Sequence, residues 1–417
     1  MRSPPDKKNQ QQTPSSLASA MLLIAIAAAI LPPGYPAYVG AYISLAIAFL
    51  ALLCYGRAEW SIVKQPTSTD ILIAIALVTA TVPFVYRSEA DLFAPVLLLP
   101  MLTTIALGLL ARPANWIPSP SFFAWLCLLS SLIALLGGAY EHFVLGVHRP
   151  GLGNNPIHYG SLAAMIGGLA LVGVVYGTSP RRYLFLLGPV FGLAAAMISD
   201  SRGPMVGAMA ITIVGLVILL FWLWRERFYR YSMLASLAAG IGFVAWIGTG
   251  SNRIAHTLDS ALNIFRFTGG PDDIRAALYT SAVEVLKTSP IVGVGLGQIM
   301  DTAQVLFPGQ PETHTLDNLH ADWANFAAMG GSFGLLAWIL LLAAPLMLLA
   351  NARVRQDRPI VLGAILLFVG QFTLGISNAT FGILPQTTVY AVSLGYFLAR
   401  ARRLALTTPT KRLERGA

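Results

Sequence analysis

Apolar residues in this chain gather in long runs rather than alternating with polar ones. Runs of about 16–22 residues recur from Leu17 to Ala399, each long enough as a helix to cross a hydrocarbon layer about 30 Å thick. The pattern predicts twelve membrane helices, at about 17–32, 37–55, 69–86, 92–111, 121–139, 157–177, 182–199, 204–224, 231–249, 321–349, 359–378 and 384–400. Backbone polar groups cannot stay unpaired in lipid, so each run is expected to be helix. The period-two alternation of a membrane β-barrel is absent. The run Leu17–Leu31 is followed by Pro32-Pro33-Gly34 rather than by a small-residue cleavage site, so it reads as a membrane helix and not a signal peptide.

The polar remainder sets the domain plan. A polar tail occupies 1–16, helices one to nine occupy 17–249, a large loop occupies 250–320, helices ten to twelve occupy 321–400, and a second polar tail occupies 401–417. Inside the large loop, Gly270-Pro271-Asp272-Asp273-Ile274-Arg275 reads as a helix start, with proline early and acids in the first turn. Ile274, Leu278, Ala282 and Val285 then recur at helical spacing until Ser289-Pro290 and the following glycines stop the helix. The loop is therefore expected to be a partly helical lobe.

Composition fits the pattern. The 417 residues are 56% apolar and only 11% charged, about half the charge of a soluble chain. Mean hydropathy is +0.69. A soluble enzyme, a disordered chain and a nucleic-acid-binding domain are thereby excluded. Cys54 and Cys127 both lie in apolar runs and read as packing residues, not as a disulfide framework or a zinc site.

Charge then gives direction. Of the 27 Lys and Arg residues, all but Arg87, Arg149, Arg202, Arg253, Arg266, Arg275 and Lys287 fall on one side of the twelve-helix plan, together with both termini. Positive charge is retained on the cytoplasmic side, so both ends are placed in the cytoplasm and the large loop outside. The net charge of +9 reads as topology and not as affinity for nucleic acid.

The chemistry-bearing residues gather outside. Arg202 lies in Ser199-Asp200-Ser201-Arg202-Gly203-Pro204 at a helix start, where guanidinium, backbone N–H groups and hydroxyls can all point donors at an anion. The competing reading is a pair with Asp200 that snorkels at the interface. Arg275, in the first turn of the loop helix, opposes the helix macrodipole. Either Asp272 and Asp273 offset it, or it points at an anion shared with the helix start. His320 closes the loop in Leu319-His320-Ala321-Asp322-Trp323, where an imidazole can take a proton near neutral pH. A structural role is the alternative. Arg149, His158 and Tyr159 flank the turn Pro150–Pro156 and are read either as substrate-binding residues or as interfacial anchors. Gly293-x-Gly295-x-Gly297 has no βαβ setting and reads as a close-packing turn, not as a nucleotide loop. No HExxH or Cys/His spacing and no outer Asp-x-Asp pair points to a metal, and no cofactor is expected.

Three pieces taken in order resemble the O-antigen ligase and polymerase superfamily. Ser201-Arg202-Gly203 resembles its arginine motif. Arg275, the helix after it and Pro290-Ile291-Val292-Gly293-Val294-Gly295 resemble its arginine-helix-Pro-x-x-Gly-x-Gly pattern. His320-Ala321-Asp322-Trp323 with Gly331-Ser332-Phe333-Gly334 resembles its closing histidine and paired-glycine motif. Two positions depart from the family's habit: Ala321 stands where asparagine often follows the histidine, and Met329 stands where a glutamate often precedes the paired glycines.

The resemblance implies an all-α polytopic membrane glycosyltransferase of the GT-C type, working on the periplasmic face of a Gram-negative inner membrane. The implied donor is a glycan on undecaprenyl diphosphate and the implied acceptor, for a ligase, a sugar hydroxyl of lipid A-core. In that scheme Arg202 and Arg275 stabilise the diphosphate leaving group in place of a metal, His320 is the general base, and Arg266 is a further anion-binding residue. An O-antigen polymerase and a protein O-oligosaccharyltransferase are the related alternatives. A transporter or flippase is the alternative of a different class, disfavoured because the middles of the spans are almost free of charge.

Overall fold

The computed structural model describes residues 15–56, 67–84, 89–248, 271–306 and 316–407. Helices dominate, and the described residues form no β-sheet. Among the described residues, fourteen α-helices follow in order: α1 (Ser16–Ile30), α2 (Pro36–Tyr55), α3 (Ser68–Phe84), α4 (Leu102–Leu110), α5 (Pro120–Phe143), α6 (Pro156–Leu169), α7 (Leu187–Ile198), α8 (Arg202–Leu223), α9 (Arg227–Gly248), α10 (Pro271–Thr288), α11 (Ile299–Leu306), α12 (Asp322–Met347), α13 (Arg358–Ser377) and α14 (Leu384–Thr407). Tighter 3₁₀ segments extend α4 upstream (Glu89–Met101), α6 downstream (Ala170–Val175) and α7 upstream (Pro180–Leu186). Pro95 and Pro100 inside the first of these remove N–H donors from the regular ladder.

Local chemistry starts the helices. Ser119, Asn155 and Asp357 cap α5, α6 and α13 with side-chain oxygens that accept from Phe122, Ile157 and Ile360 N–H groups, and a proline sits in the first turn of each. Among the described residues, eight helical stretches are long and apolar enough to cross a membrane: Pro36–Tyr55, Asp91–Leu110, Pro120–Phe143, Pro156–Val175, Pro180–Ile198, Arg202–Leu223, Asp322–Ala350 and Arg358–Ser377. The predicted spans at 17–32 and 69–86 correspond to apolar but shorter helices, 231–248 and 384–400 fall within α9 and α14, and 85–86 and 249 lie outside the described residues. The fold is that of an all-α polytopic membrane protein.

Two features differ from the sequence expectation. The tail expected from 401 begins later, because α14 runs on to Thr407. Arg402 pairs there with Asp70, and Arg403 donates to the carbonyls of Ala114 and Asn115, both at 3.0 Å. The tenth span is also not one helix. Gly331, at φ 58° and ψ −138°, breaks α12, a conformation that only glycine adopts at low cost.

The break is filled by the loop. Val294 and Gly295 N–H donate to the carbonyls of Ala328 (2.8 Å) and Met329 (3.1 Å). In return Ser332 and Phe333 N–H donate to Pro290 (2.8 Å) and Ile291 (3.4 Å). The Pro-x-x-Gly-x-Gly and Gly-x-x-Gly motifs are thus two halves of one interlock, and the glycine stretch is a close-packing turn as expected. Downstream, Asp91 is fully buried beside Gly295 and accepts from Gly297 N–H at 3.0 Å.

The bundle has two chemically distinct ends. One end gathers Arg182 with Glu226, Arg400 with Asp357, and Arg402 with Asp70. The other gathers the starts of α6, α8 and α12, the end of α13, and the turn 144–155. Of the predicted outer lobe, α10 and α11 are described, and 250–270 and 307–315 lie outside the described residues.

Candidate active site

All three non-glycine residues with positive φ among those described sit at the second end: Leu152 (53°), Asp200 (51°) and His320 (52°). Such backbone is costly for a residue with a Cβ and persists only where the surroundings impose it. Each of the three lies in or beside a segment singled out in the sequence.

Arg202 is the first residue of α8 and is half-exposed. The turn before it is held by Ser201, whose hydroxyl donates to the Ser199 carbonyl at 3.1 Å. Arg149 reaches the same place: its guanidinium donates to the Ser201 hydroxyl at 3.4 Å. Two guanidinium groups therefore flank one helix start, whose first-turn N–H groups add donors of the same sign. Arg149 is carried there by a folded turn. The Glu141 carboxylate accepts from Gly151 (2.9 Å) and Leu152 (2.8 Å) N–H, and Tyr35 N–H donates to the Leu152 carbonyl at 2.9 Å.

His320 is half-buried in the turn before α12. Its N–H donates to Asn318 Oδ1 at 2.8 Å, and the N–H of Leu319 donates to Asn325 Oδ1 at 2.8 Å. His158 stands in the first turn of α6, and its imidazole interacts electrostatically with Asp317 and His320. The carbonyl of His158 accepts from Gln386 Nε2 at 3.3 Å, which ties α6 to α14. The two histidines therefore share one neighbourhood.

Tyr159, adjacent to His158, does not. It is 1% exposed, packs with Ala134, Ala163 and Ala195, and donates its hydroxyl to the Ala134 carbonyl. A substrate role for Tyr159 has no exposed polar atom to work through, and its place is that of a packing residue. The reason is helical geometry: consecutive residues point about 100° apart, so His158 and Tyr159 face different neighbours.

Arg275 lies in the first turns of α10, and its side chain is outside the described residues, as is the whole of Arg266. The backbone of α10 is placed by Tyr279, one turn on. The Tyr279 hydroxyl donates to the Ile376 carbonyl at 3.3 Å, and its ring lies 5.4 Å from that of Trp323. At Tyr279, α10 thus abuts both the end of α13 and the start of α12. Ser377, next to Ile376, lies against Gly203, and Gly203 follows Arg202.

Beneath these groups, Ser161, Gln371, Thr380 and Gln386 line a cavity of about 10 Å³, room for about one water molecule. The Ser161 hydroxyl and Gln386 Oε1 are without a protein partner. Among the described residues, no three His, Cys, Asp or Glu side chains come together as a metal site.

Sequence reading passed over Glu141, Asp91, Asn325 and Asp322, all of which hold backbone at this end. Each accepts from N–H groups remote enough in the chain, or ordinary enough in type, to leave no spacing motif. The fold and this cluster together define a multi-pass membrane protein with cationic donors and imidazoles collected at one end. Residues 187–339, which contain Arg202, Arg275 and His320, match the family model described as O-antigen ligase. The match bears out the resemblance to the O-antigen ligase family drawn from the three motifs. No curated protein matches the chain.

Proposed function

We propose that this protein is an O-antigen ligase that moves a glycan from undecaprenyl diphosphate to a sugar hydroxyl of lipid A-core on the periplasmic face of the inner membrane. Two observations at the end away from the arginine-rich one carry the reading: Arg149 reaches the Arg202 helix start, and His158 stands beside the His320 turn. The family match supports the same reaction class.

The acceptor hydroxyl oxygen attacks the anomeric carbon, the anomeric carbon–oxygen bond breaks, and undecaprenyl diphosphate leaves with the bonding pair. Negative charge grows on the diphosphate, and Arg202 and Arg275 stabilise it through charge-assisted hydrogen bonds. Arg149 and, within the loop, Arg266 add to the anion-binding field, and His158 lies beside the acceptor. His320 takes the acceptor proton. No metal is required in this scheme.

The test is transfer by purified protein from lipid-linked glycan to lipid A-core. Arg202→Ala and Arg275→Ala are each expected to lower kcat about 100- to 1000-fold, as for loss of one preorganised donor. His320→Ala is expected to lower it about 100- to 10,000-fold. EDTA is expected to leave the rate unchanged. Normal turnover in either arginine variant, or EDTA inhibition reversed by Mg²⁺, would overturn the scheme. A deletion strain reports the acceptor: accumulated lipid-linked polymer supports the ligase, and single repeat units on the core would assign a polymerase instead.

A further inference from the structure

Asp322 is fully buried at the start of α12, two residues after His320. Its carboxyl reaches across to the loop between α13 and α14. Oδ1 accepts from Thr380 N–H at 2.7 Å and Phe381 N–H at 3.0 Å, and Oδ2 accepts from the Thr380 hydroxyl. The Thr380 hydroxyl in turn accepts from Gln371 Nε2 on α13. Three hydrogen bonds from one short segment leave little freedom on either side of the contact.

The two sides of that contact matter separately. On one side is the turn that holds His320 at φ 52°, a backbone state costing about 1–2 kcal/mol for a residue with a Cβ. On the other, the loop begins at Asn378, immediately after Ser377, which lies against Gly203 at the start of α8. The Phe381 ring makes steeply inclined contacts with Phe326 and Tyr390 at centroid distances of 6.2 and 5.2 Å, so the loop is itself packed in place. Asp322 thus links the turn of the imidazole to the segment that abuts the helix start of Arg202.

We propose that Asp322 is a positioning residue that holds the His320 turn at a fixed distance from the Arg202 helix start. The inference rests on the reading of His320 as base and Arg202 as diphosphate ligand. It assigns Asp322 no contact with either substrate. A base displaced from its acceptor loses rate, whereas a diphosphate site left in place keeps its affinity. Misplacement of about 1 Å is enough for a 100-fold loss of rate.

The test compares Asp322→Ala, Asp322→Asn, Thr380→Val and Thr380→Ser in the full-length protein, with kcat, donor KM and thermal unfolding read for each. Asp322→Ala is expected to lower kcat about 10- to 100-fold with donor KM little changed. Asp322→Asn, which keeps an oxygen for the two N–H groups, is expected to recover part of it. Thr380→Val removes only the hydroxyl contact and is expected to lower kcat several-fold, with Thr380→Ser restoring it. Where Asp322→Ala does not fold, the Thr380 pair decides.

Full kcat in Asp322→Ala or in Thr380→Val overturns the proposal. So does a loss of activity that only tracks the folded fraction. His320→Ala separates the two layers: an active His320→Ala protein removes the base reading itself. An inactive one beside fully active Asp322 and Thr380 variants removes only the positioning role.

Discussion

At the residue scale, the second end is organised by carboxyl and amide groups that accept from backbone. Glu141 serves Gly151 and Leu152, Asp91 serves Gly297, Asn325 serves Leu319, and Asp322 serves Thr380 and Phe381. A buried N–H without a partner costs about 1–3 kcal/mol, so each of these side chains fixes a turn that has no regular ladder of its own. Arg202 and His320 were legible in the sequence because charged residues stand out in apolar surroundings. Asp91 and Asp322 were not, because their partners lie 206 and 58 positions away. Tyr159 is the opposite case, a polar residue near the end of a span in sequence yet buried in space. Tyr159→Phe is expected to leave kcat and KM unchanged and to cost about 0.6 kcal/mol, the usual size of a hydrogen bond between membrane helices. Chemical denaturation in micelles measures it, and a raised donor KM would return Tyr159 to the substrate site.

At the element scale, the joint between the loop and α12 departs most from what hydropathy conveys. Gly330 and Gly331 count as small apolar residues in any window, so the run 321–349 reads as one helix. The backbone turns away at Gly331 because Pro290–Gly295 supplies the missing donors and acceptors. Broken helices are tolerated at membrane depth only where protein satisfies the freed groups. A Cβ on Gly331 would sit 2.7 Å from the Ile291 carbonyl oxygen and 2.8 Å from Gly293 N. Gly331→Ala is therefore expected to lose at least about 1–2 kcal/mol from the left-handed backbone alone, with activity falling as the joint opens. A thermal midpoint equal to that of the unsubstituted protein would mean that the joint yields without resistance. The loop helix at Pro271–Thr288 was legible from its proline, its acids and its apolar period, since these act within a single turn.

At the scale of the whole molecule, the bias of basic residues matches an end where arginines are bound to carboxylates and carbonyls. Arg400 pairs with Asp357 at 2.7 Å, Arg182 with Glu226, and Arg403 reaches the carbonyls of Ala114 and Asn115. The retention of positive charge during insertion supports the proposal that this end is cytoplasmic. With Cys54 and Cys127 replaced, Asn351→Cys is expected to react with a membrane-impermeant maleimide only after the inner membrane is opened. Val147→Cys is expected to react from the periplasm. The reverse pattern would invert the topology and put the candidate site on the wrong side for the proposed donor. The division of polar residues between the ends was legible because each run must emerge somewhere. How the ends are knitted together was not, because that depends on contacts between runs.

The joint at Gly331 is sealed by main-chain groups on both sides. Its hydrogen bonds therefore do not depend on which side chains stand at 292, 294 and 329, provided the backbone there keeps its shape. The seam can thus outlast changes in the packing around it: the side chain at 329 can be exchanged without breaking one of its hydrogen bonds, at the cost only of the apolar contacts Met329 makes in the core.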